Sequence, residues 1–324
     1  MTDERIRRAI EGSDTDELVR IVDGLVQGRD WQTMRTVRLL CEEAVERGKQ
    51  LWAIPEYIRY RLALDGPPES AGPAVTEGPT RFTLGPLPEV VAGRLTWDDL
   101  DAHLEDGPER AFVAHERVVR GEDLEGASVD SMIMELPLRL LDWESRYTFP
   151  IYHSDRVEEP TPPFPEWSFE ELPEPGPPVD DPDGIRALQA VTEHWVDSSN
   201  GRSVATCVEG DASRAVAALG LRRAALRRVD PATALAWIAW AAASGGAHGR
   251  RRGGAAGRFS AWWLATELGG EEWPPDPDRL GDAVHDLGWY LWHDGSPEIG
   301  WWLRVAIESP SEGIAWAVSA QDAE

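Results

Sequence analysis

The chain has 324 residues, of which 42% are hydrophobic and 28% charged, and it carries a formal net charge of −26 at pH 7. That length supports a large core and predicts two folded parts rather than one. So negative a field repels nucleic acid and anionic membranes, which excludes generic DNA binding by the whole surface.

The first sixty-odd residues read as helix after helix. Ile6, Ala9 and Ile10 form one apolar stripe, then Leu18, Ile21, Val22 and Leu25, then Met34, Val37, Cys41, Ala44 and Val45. Asp14 and Asp30 are natural N-caps, and Gly12, Gly28 and Gly48 punctuate the ends. These are short helical hairpins with no strict repeat. Prolines break residues 65–95, leaving a short strand at Arg81–Leu84; helical pattern returns at Trp97–Leu104 and Glu109–Val119. Met132–Tyr152 reads as two strands that Pro137 and Pro150 confine to edges or bulges.

Residues 158–183 hold nine acidic residues, nine prolines and no basic residue. Such a composition cannot fold alone, so it predicts a linker or draped arm, with Trp167 and Phe169 as its pins. Beyond it the pattern predicts a helix at Ile185–Val196, a strand at Ser203–Val208 and a helix capped near Asp211. Asp230-Pro231 opens another helix, which Gly245-Gly246 stops, and a further one covers Arg251–Leu268. Alternation through Leu287, Trp289 and Leu291, then Trp301 to Ile307, then Ile314 to Val318 predicts a tryptophan-rich meander. The expected fold is α+β and mostly helical, in three parts. These are a helical region with short strands (1–157), the acidic linker (158–183), and helices packed on an antiparallel β-meander (184–324).

Sixteen tryptophans fill either cores or exposed contact surfaces, and core filling is the plainer reading. Cys41 and Cys207 sit in apolar patterns that suit buried free thiols and a reducing compartment. With no apolar signal core near Met1 and no run approaching the ~18 residues of a membrane span, the expectation is a cytoplasmic protein without a membrane partner. Arginine supplies nearly all the positive charge, Lys49 being the single lysine, as in a GC-rich genome.

Several chemistries lack their residues. The lone lysine stands in Gly48-Lys49-Gln50, which removes a phosphate-binding P-loop and a kinase-type lysine. No Gly-x-Ser-x-Gly elbow is present. Seven histidines are scattered singly without His-Glu-x-x-His or Cys-x-x-Cys spacing, so no metal site and no cofactor is assigned. Nothing electropositive surrounds Cys207, which a nucleophilic thiol requires.

One segment stands apart. Arg214–Arg258 carries nine arginines against a single acid, Asp230. Its sharpest part runs from Ser244 to Arg258 and contains His248, Arg250, Arg251, Arg252 and Arg258 among glycines. Glycines let backbone N–H groups approach an oxyanion, and arginines supply bidentate forks, so an anion or acidic-partner site is one reading. The other is mechanical. Gly245, Gly249, Gly253, Gly257 and Ala261 recur at every fourth position, a small-residue stripe that admits a close helix, with the arginines solvating the far side. A third reading lays the acidic arm over this basic face.

The stretch Gly245-Gly246-Ala247-His248-Gly249-Arg250-Arg251-Arg252-Gly253, running on to Gly257-Arg258-Phe259-Ser260-Ala261-Trp262-Trp263, resembles a family of actinobacterial proteins of unknown function. The blocks Arg47–Trp52, Phe82–Val90, His115–Gly121 and Gly313–Ala317 are similar to further parts of it. The resemblance implies no activity, cofactor or catalytic residue. The expected function is a non-enzymatic protein-binding role, built on a tryptophan-rich surface and the segment holding His248, Arg250, Arg251, Arg252 and Arg258. The alternatives are an enzyme or sensor taking a phosphate-bearing or nucleotide ligand at Arg250–Arg258, and a structural component that assembles as a homo-oligomer.

Overall fold

The computed structural model describes residues 2–76, 81–144, 146–297 and 299–323. Among them are fourteen α-helices and a six-stranded antiparallel sheet, an α+β fold that is mostly helical. The chain divides into two compact units. The first holds Met1–Arg117, Ser128–Ile133 and Pro150–Glu158; the second holds Val118–Ala127, Met134–Phe149 and Glu159–Glu324.

The first unit opens with α1 (Thr2–Gly12), α2 (Thr15–Gln27) and α3 (Trp31–Glu46). Asp14 caps α2 by accepting from Glu17 N, and Asp30 caps α3 by accepting from Thr33 N. The buried stripe is the one the spacing predicts: Ile6, Ile10, Leu18, Val22, Met34, Val37 and Cys41. Then come α4 (Ala53–Asp65), α5 (Pro68–Thr76), α6 (Leu87–Ala92), α7 (Trp97–Leu100) and α8 (Pro108–Val119). Thr96 and Asp99 close a reciprocal capping box on α7. This unit buries charged side chains, each against a polar atom. Glu56 accepts from Phe82 N, Glu89 from the Tyr152 hydroxyl, and Arg59 donates to Ala74 O.

Two expectations fail on local geometry. Arg81–Leu84 forms turns, with no strand beside it among the described residues. Among the described residues of Met132–Tyr152 the strand is β1 (Ile151–Tyr152), paired with β2 (Val157–Glu158). Met134 and Glu135 take positive φ (69° and 54°) and turn the chain out of an extended path, while Pro137 and Pro150 lack the N–H a ladder needs.

The second unit is built on the sheet, in the order β3 (Phe169–Glu171), β5 (Arg223–Val229), β6 (Gly288–His293), β7 (Trp301–Ser309), β8 (Ile314–Asp322), β4 (Arg202–Glu209). The predicted meander is β6–β7–β8, turning at Ser309–Gly313. One face carries Trp289, Leu291, Leu303, Val305, Ile307, Trp316 and Val318. It packs on α9 (Pro182–Ala190), α12 (Pro231–Ala243) and α13 (Gly254–Gly269), with α10 (Glu193–Ser198) and α14 (Pro277–Asp286) beside them. The opposite face is covered in part by α11 (Ala212–Ala218), over Val208, Ala306, Ala315 and Ala317.

Tryptophan fills this core. Trp195, Trp237, Trp262, Trp289 and Trp292 are almost wholly buried, and Trp52 is the exposed one among the described residues. Some buried indole N–H groups find acceptors: Trp195 donates to the Ser244 hydroxyl and Trp289 to Val284 O.

Residues 159–183, where composition predicts a linker or arm, belong to the second unit. Phe164 stacks on Trp302 and packs on Trp237, Trp167 lies against His293, and Phe169–Glu171 pairs with the basic strand β5.

Candidate functional site

The helix α12 is capped by Asp230 and ends at Ser244, whose buried hydroxyl takes the Trp195 N–H and the Gly246 N–H. The chain then loops out and returns, closing where Arg252 N donates to Ala243 O at 2.8 Å. Gly246 (φ 71°) and Gly253 (φ 102°) occupy backbone conformations that L side chains rarely adopt. A Cβ on Gly249 would meet Gly245 O at 2.1 Å, so the loop is compact enough to exclude any larger residue there. Two side chains from elsewhere fix its crest: Ala247 N donates to Asp322 Oδ2 at 2.6 Å, and His248 N to the Ser199 hydroxyl at 3.0 Å.

This geometry divides the small-residue stripe. Residues 245–253 are loop, because positive φ at Gly246 and Gly253 breaks the helix that fourfold spacing predicts. The helix α13 begins at Gly254, and there the stripe performs as expected: a Cβ on Gly257 would stand 2.3 Å from Ala239 O, so glycine lets α12 and α13 touch backbone to side.

The five predicted site residues part company. Arg258 is fully buried in α13. Its Nε and Nη2 grip Glu144 at 2.7 Å each, and its remaining donors reach the carbonyls of Pro137 and Arg139 at 2.8 Å. Glu144 also accepts from Trp262 Nε1 and the Tyr147 hydroxyl. The anion Arg258 holds is therefore this chain's own carboxylate, and it offers nothing to solvent. Arg251 is drawn inward as well, its side chain 4% exposed and paired with Glu159 at 2.8 Å. His248, Arg250 and Arg252 are exposed.

Around these three the electrostatics are local. Burial, and then the nearby Arg252 guanidinium, push the His194 imidazole below its ordinary pKa. Arg252 is itself lowered by desolvation, which the Glu193 carboxylate opposes.

The acidic arm does lie against basic residues of the second unit. Glu171 opposes Arg223 in the β3–β5 ladder, the Arg223 guanidinium stands 5.6 Å over the Phe169 ring, and Glu159 holds Arg251.

Sequence reasoning missed Glu144, Ser199 and Asp322, which position the segment. No spacing announces them, since each is joined to the loop or to α13 only by the fold.

No curated protein and no solved structure matches the chain. Residues 16–316, most of both units, match the model of a family of unknown function (DUF6183), and the chain belongs to that family.

Proposed function

We propose that the protein is a non-enzymatic interaction protein that engages an acidic protein partner through the crest of the 245–253 loop, with His248, Arg250 and Arg252 as its contact residues. The observation that carries this reading is the fixing of that crest. A basic, solvent-facing turn is tied through its own backbone to Asp322 and Ser199, so its side chains are presented from a frame that needs little ordering on binding. Arg258 and Arg251, turned inward, serve as struts of that frame. In a chain of charge −26, a small cationic turn also sets where and how an acidic partner can approach. The tryptophans contribute through the rigidity of the core on which the loop stands.

The test is retention of a protein partner by the tagged full chain at moderate salt, beside an Arg250→Glu/Arg252→Glu variant with an unchanged melting temperature. A defined acidic partner held by the parent and lost by the variant supports the reading. Equal capture by both overturns it. If instead inorganic phosphate or a nucleotide raises the melting temperature of the parent and not of the variant, the loop is a small-anion site and the protein-partner reading fails.

A further inference from the structure

The helix α11 has seven residues, about 10 Å at 1.5 Å per residue, whereas β7 and β8 run nine residues each, about 30 Å. So short a helix covers one half of its sheet face, the half bearing Ala306, Ala315, Ala317 and Val208. The other half carries Arg202 and Val204 of β4 directly opposite Gln321 and Ser319 of β8. A groove of about 430 Å³ lies over it, walled by Leu219 and Leu221 at the end of α11 and by Trp292 of β6. That volume falls within the range of small-molecule sites.

The groove's charges are unbalanced. Among the described residues its one carboxylate, Asp294, is committed to Arg304, which it pairs with at 3.0 Å and whose guanidinium lies over the rings of Trp292 and Trp302. Arg202 is exposed, and its guanidinium makes no ion pair or hydrogen bond among the described residues, in a chain with a large excess of acid. Trp292 is 99% buried, at 1% exposure, and its indole N–H likewise finds no acceptor among the described residues. A buried donor without a partner is rare in folded proteins. Val204, in contrast, is 57% exposed and lines the groove.

We infer that the uncovered half of this sheet face binds a small amphipathic carboxylate, its anionic end on Arg202 and its apolar body along Val204, Leu219, Leu221 and Trp292. The complement is chemical. An exposed cation asks for an anion, and the aliphatic and indole walls ask for a hydrocarbon or aromatic body. This site is separate from the 245–253 crest, and either reading can fail without the other.

The experiment is isothermal titration of the full chain with octanoate, octanamide and octylammonium, all below their aggregation concentrations. Octanoate binds saturably at one site, octanamide roughly tenfold or more weaker, as loss of a charge-assisted hydrogen bond predicts, and octylammonium not at all. Arg202→Gln brings octanoate down to the octanamide level, and Val204→Glu abolishes binding. Both positions are exposed, so both variants keep the parent melting temperature. Absence of saturable heat from octanoate at millimolar concentration overturns the inference. So does binding that survives both substitutions, or octylammonium binding as tightly as octanoate.

Discussion

Arg258 and Glu144 stand 114 positions apart in the chain and meet as a two-pronged ion pair, both contacts 2.7 Å and both side chains fully buried. Removing one member leaves the other charged and dry, which costs about 3–5 kcal/mol. Glu144→Gln and Arg258→Met should each lower the unfolding free energy by that order in a denaturant titration. Arg258→Lys should not restore it, because one ammonium cannot serve the carboxylate and the carbonyls of Pro137 and Arg139 together. A loss under about 1 kcal/mol would show that the pair contributes little.

Two helical glycines should respond in opposite senses to alanine. Gly24 in α2 is exposed and has nothing within 4 Å of an added Cβ, so Gly24→Ala should stabilise by about 1 kcal/mol. At Gly257 the same atom would stand 2.3 Å from Ala239 O, a backbone oxygen that cannot swing aside. Overpacking there should destabilise by about 1–3 kcal/mol. Thermal melting of the two variants decides it, and a stabilised Gly257→Ala would refute the close approach of α12 and α13.

Burial raises the thiols of Cys41 and Cys207 to about 12, with Glu42 adding to the first and Asp181 to the second. Both stay protonated at physiological pH. Reaction with a thiol reagent should be slow in the native protein, should not accelerate as pH climbs to the ordinary value of 9.0, and should go to completion on unfolding. The folded pKa lies above the unfolded one. The thiols' contribution to stability is therefore full below 9.0 and declines as pH rises from there toward about 12.

His194 is shifted the other way, so it favours folding while neutral. Its contribution is present above its ordinary pKa of 6.5 and is lost as pH falls through the lower folded value. Because Arg252 is one of the causes, Arg252→Gln should move the His194 titration midpoint upward in an NMR experiment, though desolvation keeps it below 6.5. An unmoved midpoint would place the Arg252 guanidinium away from the imidazole.

Periodic elements were legible in the residues. The stripes of α1 to α3, the aspartate caps of α2 and α3 and the three-stranded meander follow from spacing that neighbouring residues enforce. Strand β5 was hidden, since Arg223–Val229 has arginines where strands usually carry β-branched residues, and it becomes a strand by lying between β3 and β6. Glycine at every fourth position predicts helix as readily as loop, and only the φ values of Gly246 and Gly253 separate them. Likewise Arg250, Arg251, Arg252 and Arg258 are chemically alike in the chain. Their sorting into exposed and interior depends on Glu144 and Glu159, which arrive from irregular segments without a pattern to read.

The closest pairing of β4 with β8 joins Glu209 to Ile314, and between them the chain must first make β5, α12, α13, β6 and β7. During synthesis β4 therefore leaves the ribosome long before the strand that completes it. Its inner edge stays open through the production of the most tryptophan-rich part of the sequence, when a ready-made strand template is most exposed to the wrong neighbour. The arrival of β8 thus determines when that edge is covered.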